Sequence, residues 1–146
     1  MVIRDETSSV EITRREVGQT GTPAAGDLGV DVAVTAGATV AGGPFSGRNH
    51  TVWIGREAWH GFVEDLRELE RTRRGDAAVL AMSPAEFQLT LFVTDRAGHL
   101  AAEGWVGRQH AGRSAAAQDR VCFRIQLDPS TRVTLAHEFE ALTPAG

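Results

Sequence analysis

FRIQLDPSTRVTLAHEF, residues 123–139, passes from strict alternation through Asp-Pro directly into helical spacing. Val121, Phe123, Ile125 and Leu127 recur every second residue, which places them on one face of a strand. Asp128 can cap the helix that follows, and Pro129 suits its first position, where the missing N–H costs nothing. Leu135, Ala136, Phe139 and Leu142 then supply an inward stripe. A looser version stands at residues 52–66, VWIGREAWHGFVEDL, where Gly55 makes the turn less sharply. The chain therefore folds back over a sheet twice.

The helix after the first turn is expected over residues 57–74. Trp59, Phe62, Val63, Leu66 and Leu69 fall on one stripe, and charged residues fill the rest of the cylinder. Arginines in its last turn oppose the negative end of the helix dipole, and Gly75 can take the left-handed stop. Upstream, residues 8–17 and 28–36 read as strands. In the second, Leu28, Val30, Val32 and Val34 share a face. Residues 18–27 and 42–49 (GGPFSGRN) read as loops, and His50 to Ile54 as a short strand. Downstream, residues 76–82 return as a strand. Residues 86–94 and 99–106 form a hairpin around Asp95-Arg96-Ala97-Gly98, whose ends suit a type I turn. Residues 107–119, GRQHAGRSAAAQD, are long, small and polar, the composition of a functional or mobile loop.

Short connections imply antiparallel pairing, because parallel strands need a long crossover. The expectation is a single α+β domain over residues 1–146. It has a mostly antiparallel sheet of about 6–7 strands, with two helices packed on one face. A chain of 146 residues can bury a core without staples, and its one cysteine, Cys122, excludes an internal disulfide and a Cys-based zinc finger. The formal net charge of −4 argues against a nucleic-acid binder. No apolar stretch is long enough to span a membrane. The polar N-terminal sequence is unlike a signal peptide, so a cytoplasmic location is expected. All 15 basic residues are Arg, with no Lys or Tyr and a single Asn, which points to a GC-rich bacterial genome. The lack of Lys also removes Schiff-base and phosphate-loop lysine chemistry.

Each candidate chemistry meets a plainer alternative. GGPFSGRNH has glycines spaced as in a phosphate loop. Arg48 stands where the lysine belongs, however, Asn49 replaces the metal-binding hydroxyl, and Pro44 removes a cradle N–H. His50, His60, His99, His110 and His137 are scattered without ligand spacing, although His50 and His99, both on predicted strands, could meet in space. Cys122 lies on the strand face opposite Phe123 and Ile125, with no readable base beside it. No catalytic residue, metal or cofactor is expected.

The candidates for partner binding are Glu64, Asp65 and Glu68 on the first helix, Trp53 and Trp105 off the apolar strand faces, and His110 and Arg113 in the long loop. The carboxylates read more simply as a solvated face. There, Glu64–Arg67 and Glu70–Arg74 pairs would each be worth about 0.2–0.5 kcal/mol. Tryptophans serve core packing more often than recognition, but an exposed one marks a surface.

Residues 50–142 carry a strand-to-helix entry (TVWIGREAWHGFVEDLREL), a hairpin (SPAEFQLTLFVTDRAGHL), a strand (FRIQLD) and a closing helix after Asp-Pro. This order resembles the WapI-family immunity proteins, small bacterial proteins that neutralise partner toxins. The resemblance implies a non-enzymatic binding protein, with no interface residue carried over. Alternatives are a small-molecule-binding domain or enzyme with a pocket between sheet and helices lined by Trp53, Trp105 and His99, or a structural homo-oligomeric module. A toxin partner, no nucleic acid, no membrane, and a monomeric or homodimeric state are the accompanying expectations.

Overall fold

A computed structural model describes residues 1–15, 26–37, 44–109, 118–129 and 135–143. The elements are β1 (Val2–Arg4), β2 (Ser9–Arg14), β3 (Leu28–Ala36), β4 (Phe45–Ile54), α1 (Arg56–Thr72), β5 (Asp76–Leu80), β6 (Phe87–Val93), β7 (Leu100–Gln109), β8 (Gln118–Gln126) and α2 (Leu135–Glu140). Four strands and a helix are followed by four strands and a helix. The two echoing stretches occupy the same place in this order, at the exit from each fourth strand.

The α+β class and the antiparallel pairing stand, and the single sheet is corrected to two. Strands β1-β2-β3-β4 form one four-stranded meander and β5-β6-β7-β8 another. Alternation fixes which face of a strand is buried, but it does not say which strands share a ladder. Here α1 intervenes between β4 and β5, so β5 starts a new ladder with β6 and does not extend the old one. One backbone hydrogen bond marks the junction, from Met82 N–H to the Trp53 carbonyl at 2.7 Å. The helices consequently have no single sheet to cover. The apolar faces of both meanders and both helices meet in one core, with Val10, Ile12, Val30, Val32 and Val34 from the first sheet and Phe87, Leu89, Leu91, Phe123 and Ile125 from the second. At Gly47 of β4 the sheets approach closely. A Cβ there would lie 2.8 Å from a Val121 methyl and 3.3 Å from one of Val106.

The expected loop at 42–49 is also corrected, because β4 begins at Phe45. Its outer half, Phe45–Asn49, has Gly, Ser and Asn at low strand propensity. Pairing with β3 from Ala36 to Val32 holds it extended. A two-for-one irregularity follows, in which His50 and Thr51 span the register between Val30 and Val32. β1, at three residues, is too short to show a period in the sequence.

All five residues of the predicted helical stripe are buried in α1. Gly55 at its N-cap has no side chain to offer, so the cap comes from elsewhere: Arg56 N–H donates to Asp27 Oδ1 at 3.0 Å. At the other end, Arg73 takes the left-handed position (φ 55°) assigned from sequence to Gly75, although Gly75 is left-handed too (φ 81°). The expected Glu70–Arg74 pair is not among the ion pairs of the described residues; Glu70 Oε1 instead accepts from Ala136 N–H in α2 at 3.2 Å. The described part of α2 starts at Leu135, beyond the expected Asp128–Pro129 entry, and residues 130–134 lie outside the described residues. Leu135, Ala136 and Phe139 are buried as read.

Gly61 sits exposed in mid-helix, and a Cβ there would meet nothing within 4 Å. Gly61→Ala should therefore stabilise the fold by about 0.4–1 kcal/mol, chiefly by restricting the unfolded chain. An urea midpoint that falls would contradict the open environment.

Asp5 joins the two sheets. Its Oδ1 accepts from Thr7 N–H (2.7 Å), Ser8 N–H (2.8 Å) and the Thr7 hydroxyl (3.1 Å), and its Oδ2 from Gln126 N–H at the end of β8 (3.0 Å). Partial burial pushes its pKa up, but the backbone donors outweigh burial and hold it below the usual carboxylate range. The stabilisation is thus present above the unfolded carboxylate value of about 3.9 and lost as pH falls through the lower folded one. Asp5→Asn should cost about 1 kcal/mol at pH 7. It should also flatten the loss of stability below about pH 4, as read by urea midpoints at a series of pH values.

Candidate functional site

The alternation that buries Phe87, Leu89 and Leu91 turns Gln88, Thr90 and Phe92 to the other side of the second sheet. Register then assembles that outer face. Leu80, Gln88, Trp105 and Cys122 form one row; Ala78, Thr90, Glu103 and Arg124 the next; Asp76, Phe92, Ala101 and Gln126 the third. Two guanidinium groups lie on aromatic rings: Arg120 sits 4.6 Å from the Trp105 centroid, and Arg124 sits 5.3 Å from that of Phe92. Trp105 is also fixed at its polar end, where Nε1–H donates to the Pro84 carbonyl at 3.2 Å. Arg124 stands 3.7 Å from Glu103 across the adjacent strand. Ala101, between Phe92 and Gln126 in the register, is fully buried beneath these longer neighbours. Leu80 is 44% exposed, and Met82 just beyond β5 is 60% exposed.

One end of this face runs into a cleft of about 320 Å³, where the outer half of β4 approaches the ends of β7 and β8. Arg48, Arg108, Asp119 and Arg120 contribute to its lining, with Val106 and Val121. Two bonds join the sheets there: Asn49 Nδ2–H donates to the Gly107 carbonyl at 2.9 Å, and Arg108 Nη2–H to the Arg48 carbonyl at 3.1 Å. The described ends of the segments read as loops at 42–49 and 107–119 thus meet in one place, as strand ends.

The sequence-derived candidates fall on several elements. Glu64, Asp65 and Glu68 are exposed on α1. Glu64 pairs with Arg67, which also reaches Glu140 of α2 at 2.6 Å, and Glu68 holds Arg71 through two hydrogen bonds of 3.0 and 2.5 Å. The hydrogen bond and charge of Glu140, then of Glu64, raise the Arg67 pKa, while Arg67 lowers that of Glu140. Trp53, half-buried on the first sheet, lies against Gly29 of β3, its register partner; a Cβ at Gly29 would come within 2.7 Å of the ring. Trp105 belongs to the face just described. His110 and Arg113 lie outside the described residues.

His50 and His99 each have a separate carboxylate. His50 Nδ1 stands 3.6 Å from Asp31 on the first sheet. His99 Nδ1 stands 2.5 Å from Asp95 in the β6–β7 turn, a hydrogen bond that lowers the Asp95 pKa. No bond or ring contact among the described residues joins His99, Trp53 and Trp105. Cys122 is exposed beside Trp105. No group of three His, Cys, Asp or Glu side chains suited to a metal occurs among the described residues, and no described helix is long and apolar enough to cross a membrane.

The arrangement is suited to recognition. Aromatic rings with stacked guanidinium groups present apolar area and directed donors at fixed positions. Sequence reasoning found Trp105 but passed over Phe92, Arg120 and Arg124, although each holds an outward position in its alternation. The pairing of arginine with ring emerges only from the register, which one chain's alternation does not specify. Compared with protein-family models, curated proteins and solved structures, the chain matches none.

Proposed function

We propose that the chain is a non-enzymatic binding protein, an immunity protein that neutralises a partner bacterial toxin by direct contact through the outer face of β5–β8. The observation that carries this reading is the composition of that face. Trp105, Phe92, Arg120, Arg124, Leu80 and Met82 share it or border it, and interface centres are enriched in aromatic residues, Arg and Met. The resemblance of residues 50–142 to the WapI-family immunity proteins supports the same reading and supplies the class of partner.

The test is to look for a toxin reading frame adjacent to this chain's own and to co-express the two; absence of such a frame would count against the proposal. Growth should be restored, and the purified pair should form a stoichiometric complex. Trp105→Ala should weaken that complex by about 2 kcal/mol, roughly thirtyfold in Kd by calorimetry, with the free chain still folded by far-ultraviolet circular dichroism. Failure both to protect and to bind would end the proposal.

A further inference from the structure

We infer that the cleft between the outer half of β4 and the ends of β7 and β8 is a binding site for carboxylate side chains, presented by an acidic segment of a partner protein. This rests on the binding-protein reading above and names the chemistry of that partner.

Charge is the first argument. The chain has a net charge of −4, yet among the described residues Arg48, Arg108 and Arg120 line this one cleft with one carboxylate, Asp119. Guanidinium forks match carboxylates in a planar, bidentate manner. Pre-ordering is the second. Arg108 is tied to the Arg48 carbonyl at 3.1 Å, and Arg120 is stacked on Trp105 at 4.6 Å. Both side chains are therefore partly immobilised before a ligand arrives, which lowers the entropy cost of binding.

Shape is the third argument. A volume of about 320 Å³ accommodates one or two side chains. Glycine at 107 lets the strands close in beside the cleft: a Cβ there would lie 2.6 Å from the Ala85 carbonyl oxygen and 2.7 Å from that of Asp119. Finally, Arg120 belongs to both the cleft and the Trp105 face, so a partner seated on the sheet reaches the cleft without a break. A nucleic acid would call for a continuous basic track. Here the cations converge on one cleft of an acidic protein.

The probe is a fluorescein-labelled hexaglutamate peptide, followed by anisotropy with the full chain at low ionic strength. Saturable binding that weakens with salt is expected. R48E/R108E should lower the affinity at least about tenfold, and R96A, in the exposed β6–β7 turn, should stay within about twofold. If the double variant fails to fold, R48A decides, with a severalfold loss expected. Absence of saturable binding, an equal loss in R96A, or tighter binding of a labelled oligothymidylate than of hexaglutamate would each overturn the inference. A chain that binds hexaglutamate at the cleft but does not neutralise the neighbouring toxin upholds this inference and removes the function proposed above. A chain that neutralises the toxin with no affinity for hexaglutamate does the reverse.

Discussion

Replacing Phe139 by alanine is expected to cost about 3–5 kcal/mol, a large part of the stability of a domain this size. Phe139 is fully buried, and its ring stands edge-on to Phe62 at 4.9 Å and to Trp59 at 5.8 Å. Trp59 and Phe62 are themselves 5.6 Å apart. The three rings are where α1 and α2 meet. Beyond them, Trp59 Nε1–H donates to the Thr143 hydroxyl at 3.1 Å, and the Thr143 carbonyl accepts from Arg14 of β2 at 3.2 Å. Truncating Phe139 removes a ring from a filled core and loosens the closing segment from the first sheet. Urea unfolding with near-ultraviolet circular dichroism would register both effects. A loss below about 1 kcal/mol would mean that α2 contributes little to the core.

The second large effect is expected at Gly104, where valine should cost about 3 kcal/mol, the upper end of the usual range for overpacking. A Cβ at this position would fall 1.9 Å from the Gln88 carbonyl oxygen and 2.8 Å from its carbonyl carbon, with the Phe123 ring at 3.1 Å on another side. A flexible side chain could swing away, but a strand backbone in the middle of the β6–β7 ladder has little freedom to yield. The substitution should therefore shift the register or open the ladder, and hydrogen exchange across β6 and β7 should report it. An unchanged midpoint would show that the two strands do not approach as described.

How much of this was legible in the residues depended on period and on contacts across the chain. The α1 stripe was fully readable, because Trp59, Phe62, Val63, Leu66 and Leu69 recur with the helical period and all face the core. The strands at 28–36 and 87–93 were equally clear, since each alternates along a face buried on one side only. Phe45–Asn49 was read as a loop because its strand geometry comes from pairing with β3 and contact with the second sheet, neither of which leaves a local signature. The division into two sheets was hidden for a related reason. Val32 and Leu89 announce buried faces in the same way whether they share a ladder or not.

The caps followed the same pattern. Asp27 accepts from the first N–H of α1 and Glu70 from the Ala136 N–H of α2, and neither lies next in sequence to the helix it serves. As for the candidate site, Trp105 was legible as an outward aromatic residue. Its partnership with Arg120, and that of Phe92 with Arg124, required the register of three strands. The stretch at 123–139 turned out to be the scaffold of this site: its inward residues fill the core, and the outward Arg124 lies on the face proposed for recognition.

The most direct measurement is amide hydrogen exchange of the chain, free and in complex with the toxin-domain partner proposed for it. Exchange should slow in β5, β7 and β8 around Leu80, Trp105 and Arg124, with β1 and β2 unchanged. Protection confined to β1 and β2 or to the exposed side of α1, or none at all, would contradict the proposed interface.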